Sequence, residues 1–115
     1  MLLDHRTYTC RPGTIRKQLA LYQEHGWAAQ TEHLGMLPLA YLVTETGDVN
    51  VYVHIWVYED AADRAKRRAA MQADPRWAAF LEKSAEAGYL IKQENSLMTP
   101  VAFAPAPARA GKGGA

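Results

Sequence analysis

Hydrophobic and aromatic residues alternate most regularly between Val51 and Tyr58, where every second position from Val51 is aliphatic. A two-residue period predicts a β-strand, and here both of its faces carry large side chains. A strand of this kind lies inside its sheet, with structure packed above and below it. One face holds only valine and isoleucine, whereas the other holds Tyr52, His54, Trp56 and Tyr58. We expect the second face to be the ligand-binding side.

Three further strands are predicted from alternation and from residues that favour extended backbone. They cover Leu2–Cys10, Leu37–Thr44 and Tyr89–Met98. The short reversal at residues 46–48 contains a glycine and joins the second strand to the third. These two strands are therefore expected to be antiparallel neighbours.

A helical pattern follows the first strand. Thr14 is suited to cap a helix that reaches about His25, with an apolar stripe formed by Ile15, Leu19 and Tyr22. The pattern of residues 27–33 does not decide between two structures, because it fits both a second short helix and a packed connection.

Two more helices are predicted after the third strand. The first, over Ala61–Ala73, is capped by Asp60 and is rich in alanine, so its alanine stripe is expected to approach the sheet closely. Asp74 and Pro75 end it, and a further helix over Arg76–Ala85 follows.

The order strand, helix, strand, strand, helix, strand predicts an α+β, ferredoxin-like βαββαβ fold. Its four-stranded antiparallel sheet carries helices on one face. Residues 1–103 form this domain, and residues 104–115, rich in Ala, Pro and Gly, are expected to form a flexible tail. Because helices cover only one face while the central strand is apolar on both, we expect a homodimer joined through the sheets.

Composition narrows the classes of function. The hydrophobic fraction is 49% and the charged fraction 22%, as in folded globular proteins. A formal net charge of +1 argues against nucleic acid or an anionic membrane as the main partner. One cysteine, no apolar run of membrane-spanning length and no signal-peptide pattern predict a cytoplasmic protein. The four histidines lack metal-ligand spacing, so no metal is expected.

Several segments of the chain resemble the NIPSNAP family. They follow one another with short spacings up to Phe103, and they include Arg6–Gly13, Tyr22–Gly26, His33–Gly35, Val53–Tyr58, Ala62–Arg64, Arg67–Arg68, Ala73–Pro75, Trp77, Phe80–Leu81 and Gln93–Asn95. The resemblance implies a dimeric α/β barrel, akin to the small monooxygenases of antibiotic biosynthesis and to the haem-degrading enzymes. Animal members are mitochondrial and act in vesicle traffic and mitophagy through long N-terminal regions, which we expect this chain to lack.

The resemblance also implies where a ligand would bind. Relatives with known chemistry bind their ligand in a cleft between sheet and helices. The cleft is lined by a polar residue of the first strand, by an aromatic residue that ends the third strand, and by a residue of the following helix ten positions after that aromatic residue. Arg6, Tyr58 and Arg68 resemble these positions. The haem-degrading relatives have asparagine, tryptophan and histidine there. Since the histidine is missing, haem ligation from this helix is not expected, and no cofactor is predicted.

The residues themselves suggest the chemistry of such a cleft. Its predicted lining is aromatic with two guanidinium groups, and it consists of Arg6, Tyr8, His54, Trp56, Tyr58 and Arg68. This lining suits a small hydrophobic or aromatic molecule that carries a carboxylate, because arginine binds carboxylates through two parallel hydrogen bonds. In a cofactor-independent oxygenase or isomerase, His54 would move a proton, while Arg6 and Arg68 would hold an anionic oxygen.

A purely structural interpretation stays open beside this one. His54, Trp56 and Tyr58 are residue types that often belong to a core. The arginines Arg6 and Arg68 would then pair with acidic residues, such as Glu45, Asp63 or Glu94. In that case the chain would be a non-enzymatic protein-interaction module.

Overall fold

Four strands and four helices make up the computed structural model, which describes residues 1–35 and 37–108. The strands are β1 (Leu2–Cys10), β2 (Ala40–Val43), β3 (Val51–Tyr58) and β4 (Leu90–Met98). The helices are α1 (Ile15–His25), α2 (Trp27–Leu34), α3 (Ala61–Gln72) and α4 (Pro75–Ala87). This order confirms the predicted arrangement, and it shows that residues 27–33 belong to a second helix.

The strands form one antiparallel sheet in the order β2-β3-β1-β4. The long central strands β1 and β3 pair over eight positions, with Arg6 opposite His54. On its other side β1 pairs with β4, and Arg6 lies opposite Asn95. The ferredoxin-like fold is therefore confirmed. Within one chain the sheet is open, with β2 and β4 at its edges, and it does not close into a barrel.

The hydrophobic core lies between this sheet and the helices. Its buried members come from β3 and all four helices, and they are Tyr22, Ala29, Leu34, Trp56, Tyr58, Met71, Trp77 and Phe80. Burial of such aromatic and aliphatic surface is the main favourable term in folding. The helices are thereby fixed over the aromatic face of β3.

Side chains and glycines define the helix ends. The carboxylates of Asp60 and Asp74 cap α3 and α4 by accepting backbone N–H groups of Asp63 and Arg76, each at 2.8 Å. Between α1 and α2 lies Gly26, where an added Cβ would approach the Tyr22 ring to 2.9 Å. A glycine at this point therefore allows α1 and α2 to meet directly above the core.

The predicted inner face of α1 was incomplete, and that of α3 was wrong. In α1 the buried residues are Gln18 and Tyr22, while Ile15 and Leu19 are half-buried. In α3 the alanine stripe (Ala62, Ala65 and Ala69) is exposed. α3 is rotated because it directs Met71 into the core and the arginine Arg64 towards a buried carboxylate of β1.

The second strand is shorter than predicted, since it begins at Ala40 rather than at Leu37. Pro38 lacks a backbone N–H group, which weakens the pairing at this end of an edge strand. Of the predicted tail, residues 109–115 lie outside the described residues. Within the described part of the chain, no helix is long and apolar enough to cross a membrane.

Candidate functional site

Two rows of side chains run across the sheet, and all their members except Val43 and Asn95 form the floor of a cleft. Directly opposed residues of antiparallel strands point to the same face, so each row presents its members to the helices. The first row consists of Tyr41, His54, Arg6 and Asn95, in that order across the sheet. The second row consists of Val43, Tyr52, Tyr8 and Gln93. Most of this floor is aromatic, polar or charged.

The helices cover this floor and leave a cleft of about 160 Å³. The residues that line it from the helices are Gln18, Tyr22, Gln30, Arg68, Gln72, Trp77, Phe80, Leu81 and Ser84. A cavity of about 150 Å³ accommodates a benzene molecule in another protein. The cleft therefore has room for one aromatic ring and small substituents, which is less than the roughly 300 Å³ at which drug-sized pockets begin.

His54 lies at the centre of the floor and is 2% exposed. Its Nδ1 accepts a hydrogen bond of 2.8 Å from the indole Nε1–H of Trp56. Indole nitrogen only donates, so Nδ1 must be unprotonated, and a neutral imidazole then carries its proton on Nε2. Nε2 has no hydrogen-bond partner among the described residues. Burial, together with the positive charge of Arg6, lowers the pKa of His54 to about 3.

Tyrosine rings enclose this imidazole. The ring of Tyr41 stacks on it at 4.7 Å, and the ring of Tyr8 meets it edge-on at 4.8 Å. Burial raises the pKa of the Tyr22, Tyr41 and Tyr52 phenols above the ordinary value. These hydroxyls therefore stay protonated at neutral pH, and they can both donate and accept hydrogen bonds.

A buried carboxylate orients Arg6 at the edge of the cleft. Asp4, with no exposed surface, accepts hydrogen bonds of 3.1 Å from Arg6, Arg64 and Asn95. Arg6 also donates from Nε to the hydroxyl of Tyr8 at 3.1 Å. The predicted partners Glu45, Asp63 and Glu94 were wrong for this arginine, because the acidic residue two positions earlier on the same strand face is closer. Since two guanidinium groups face one carboxylate, the cluster keeps a net positive charge.

Arg68 is the second cation of the cleft, and it lies on α3. Within residues 1–35 and 37–108 it forms no ion pair shorter than 4.0 Å, in contrast to Arg6 and Arg64. The hydroxyl of Tyr58 is buried and has no hydrogen-bond partner among those residues. Burial raises the pKa of Tyr58, and the charge of Arg68 opposes that rise, which shows that the two groups are near each other.

Four of the six predicted lining residues come together in the cleft: Arg6, Tyr8, His54 and Arg68. Trp56 and Tyr58 do not line it, because both are 1% exposed and belong to the hydrophobic core. Trp56 instead supports His54 through its hydrogen bond.

Sequence patterns predicted neither the contribution of β2 to the cleft nor those of α1, α2 and α4. Tyr41 enters the floor through the register between β2 and β3. Gln18 and Tyr22 are four positions apart and share the inner face of α1. Gln18 gave no signal in the sequence, because glutamine is usually found at the protein surface. No group of three or more potential metal ligands occurs in the described part of the chain.

Comparison with known proteins places this chain in a family. The NIPSNAP family profile matches residues 3–105. The chain belongs to the NIPSNAP family. Solved NIPSNAP structures share the fold over nearly the whole chain. A family protein of unknown function from Agrobacterium tumefaciens has a TM-score of 0.81 at 38% identity, covering 91% of this chain and 92% of that one. A NIPSNAP-like domain protein from Burkholderia xenovorans has a TM-score of 0.84 at 31% identity, covering 97% and 95%.

More distant comparisons are of two kinds. Human protein NipSnap homolog 3B is 37% identical over 62 residues, which are 54% of this chain and 24% of the human protein. This NIPSNAP chain thus matches about a quarter of the length of that relative. A provisionally assigned antibiotic biosynthesis monooxygenase from Nitrosomonas europaea has a TM-score of 0.64 at 10% identity, covering 88% of this chain and 99% of that one. At this identity the likeness shows a shared fold.

Replacing Asp4 tests the buried ion cluster. Asp4→Asn keeps the shape of the side chain but leaves Arg6 and Arg64 without their countercharge. We expect the free energy of unfolding, measured by urea denaturation, to fall by about 3–5 kcal/mol. The control Glu82→Gln removes an exposed carboxylate of α4 and should change this free energy little. Equal losses in both variants would contradict the role of Asp4.

Acidification tests the protonation state of His54. Its folded pKa of about 3 lies below the unfolded value of about 6.5, so between these values the unfolded chain binds more protons. The contribution of His54 to stability is therefore complete above pH 6.5 and is lost as the pH falls towards 3, with a slope of up to about 1.4 kcal/mol per pH unit. Urea denaturation at several pH values should show a shallower slope for His54→Asn. ¹⁵N NMR should show a proton on Nε2 throughout, and a positively charged ring at mildly acidic pH would contradict the assignment.

Proposed function

We propose that this NIPSNAP domain binds a small aromatic carboxylate, about one ring in size, in the cleft between sheet and helices. The observation that carries the proposal is the buried His54 Nε2–H, which meets no acceptor among the described residues and lies in an aromatic cleft that also holds Arg68. A buried donor without an acceptor is costly unless a ligand or water completes it.

The aromatic lining supports a planar ligand. Tyr8 and Tyr41 present their rings around His54, and Trp77 and Phe80 line the cleft from α4. Aromatic pairs prefer offset-stacked and edge-to-face arrangements, which a single ligand ring can adopt against these walls. The cleft volume of about 160 Å³ supports one such ring.

The charges support an anionic substituent on that ring. Arg6 uses Nε and Nη1 for Tyr8 and Asp4, which leaves Nη2 available to a ligand. Arg68 has no ion-pair partner in the part of the chain that the structure describes. A carboxylate placed at Arg68 would gain a charge-assisted hydrogen bond, which is stronger than one between neutral groups.

The same groups support a cofactor-independent isomerase or oxygenase reaction as the activity of this site. In such reactions negative charge develops on an oxygen of the substrate, and preorganised donors stabilise it. The bond from Trp56 makes His54 a hydrogen-bond donor through Nε2. To act as the general base predicted from the sequence, His54 would have to lose that bond. We therefore propose His54 and Arg68 as stabilisers of an anionic oxygen.

Benzoate is the probe that tests the binding site. We expect saturable binding in an NMR titration, with shifts of the His54 ring and of the Trp56 indole N–H signal. Arg68→Met should weaken benzoate binding about 10- to 100-fold, because it removes a charged hydrogen-bond donor. Lys66→Met is the matched control, since Lys66 is exposed on the same helix, and it should change the affinity less than about twofold.

Two outcomes would contradict the binding proposal. One is equal affinity of the Arg68 and Lys66 variants, which would remove Arg68 from the site. The other is a failure of benzoate to saturate the protein at millimolar concentration, which would favour the alternative of a protein-interaction module.

We also propose that the domain is a homodimer joined through the open face of its sheet. The β2 and β3 part of that face is apolar, and it carries Leu42, Val51, Val53 and Ile55. Leu42 is 53% exposed within one chain. Monomeric proteins seldom expose a contiguous apolar patch larger than a few hundred Å². A second copy would cover this face and close two open sheets into one barrel.

The dimer is tested by analytical ultracentrifugation at micromolar concentration. We expect the wild-type protein to sediment with twice the mass of one chain. Val53→Asp places a charge in the middle of the open face and should shift the protein to the monomer. The control Ala78→Asp adds the same charge to an exposed position of α4 and should leave the dimer intact. A monomeric wild type would contradict the proposal.

A further inference from the structure

Two buried polar atoms in the cleft have no hydrogen-bond partner among the described residues: Gln18 Oε1 and His54 Nε2. Their side chains are among the most buried polar groups of the chain, with Gln18 1% and His54 2% exposed. Both line the same cleft, Gln18 from α1 and His54 from β3. Buried groups of this kind normally have partners, so their coincidence in one cleft requires an explanation.

Neighbouring residues determine which atom each side chain presents. The amide nitrogen of Gln18 donates to Ser84 Oγ at 3.4 Å, which leaves Oε1 as the open acceptor. The indole of Trp56 occupies His54 Nδ1, which leaves Nε2–H as the open donor. The cleft thus presents one acceptor from its helical side and one donor from its floor.

A hydroxyl group matches this arrangement, because it donates one hydrogen bond and accepts others through the same oxygen. A carboxylate only accepts, and it would leave Gln18 Oε1 unsatisfied. An ether or a halogen also lacks the donor. Of these small substituents, only a hydroxyl satisfies both atoms.

We propose that the cleft selects a hydroxylated aromatic acid, whose hydroxyl group lies between Gln18 Oε1 and His54 Nε2–H. This inference rests on the proposed function, since it assigns a second polar group of the ligand within the same cleft. The ring then packs among the tyrosines, and the carboxylate extends to Arg68. Gln18 is a specificity-determining residue in this arrangement.

Matched ligands test the inference on the wild-type protein. The probes are 3-hydroxybenzoate and 4-hydroxybenzoate, each compared with the corresponding fluorobenzoate, together with benzoate and phenol. Fluorine is similar in size to a hydroxyl group but cannot donate a hydrogen bond. We expect at least one hydroxybenzoate to bind about 10- to 100-fold more tightly than its fluoro counterpart, because the fluoro compound leaves Gln18 Oε1 unpaired.

A matched pair of variants separates Gln18 from general effects on the helix. Gln18→Met preserves the length of the side chain but removes the acceptor, so it should abolish the preference for hydroxyl over fluorine. The preference is the ratio of the hydroxy to the fluoro affinity within one variant, so a general change of the cleft affects both affinities and cancels. Gln23→Met is the control, since Gln23 is exposed on the same helix, and it should keep the preference. The ¹⁵N signal of His54 Nε2 should shift further with the hydroxyl compound than with the fluoro compound.

The possible results distinguish this inference from the proposed function. Equal affinity for hydroxy and fluoro compounds, with benzoate bound, overturns the hydroxyl site and leaves the carboxylate site intact. Binding of phenol without binding of benzoate supports the hydroxyl site and overturns the carboxylate site. If benzoate, phenol and the hydroxybenzoates all fail to bind, both proposals are overturned.

Discussion

The hydrogen bond from the Trp56 indole to His54 Nδ1 connects the core of this domain to its cleft. Trp56 packs among the core residues, so the hydrophobic core sets the position of its N–H group. That N–H group determines the tautomer of His54, so that Nε2 carries the proton and is the donor available in the cleft. Because burial keeps the imidazole neutral, the ring is a fixed donor at physiological pH rather than a cation. The chemistry of the cleft therefore depends on how the core is packed.

Charge in the site is arranged around a second constraint, the buried carboxylate of Asp4. An isolated carboxylate would be very costly at a position without exposed surface, and here two guanidinium groups and one amide compensate it. The partners come from β1, α3 and β4, so the cluster also joins the first and last strands to α3. Arg6 is held by this cluster at the side of His54, and its charge opposes protonation of that imidazole. The residues that hold these elements together therefore also set the charge of the cleft.

Most of the fold could be predicted from sequence, since β3 alternates over eight residues, β1 contains strand-favouring residues, and Asp60, Asp74 and Gly88 mark helix ends. The cleft was harder to predict from sequence. Alternation shows which face of the sheet a side chain lies on, but it does not show how deeply that side chain is buried. Trp56 and Tyr58 share the face of His54, yet they are buried in the hydrophobic core against residues of the helices. The inner face of α1 was also missed, because apolar Ile15 and Leu19 outweighed Gln18 in the pattern. Only the packed structure shows that a glutamine faces the sheet.

The polar half of the interior supports the proposed ligand site, because buried polar groups without partners cost stability. A helix-covered sheet of this size could be filled with aliphatic residues, which leave no polar atom to satisfy. This chain instead places Gln18, His54 and several tyrosines around an open space, while the remainder of the core is densely apolar. Violations of local packing rules in natural proteins concentrate at functional sites. The division of one interior into an apolar half and a hydrogen-bonding half is therefore a physical argument for a ligand, independent of any likeness to other proteins.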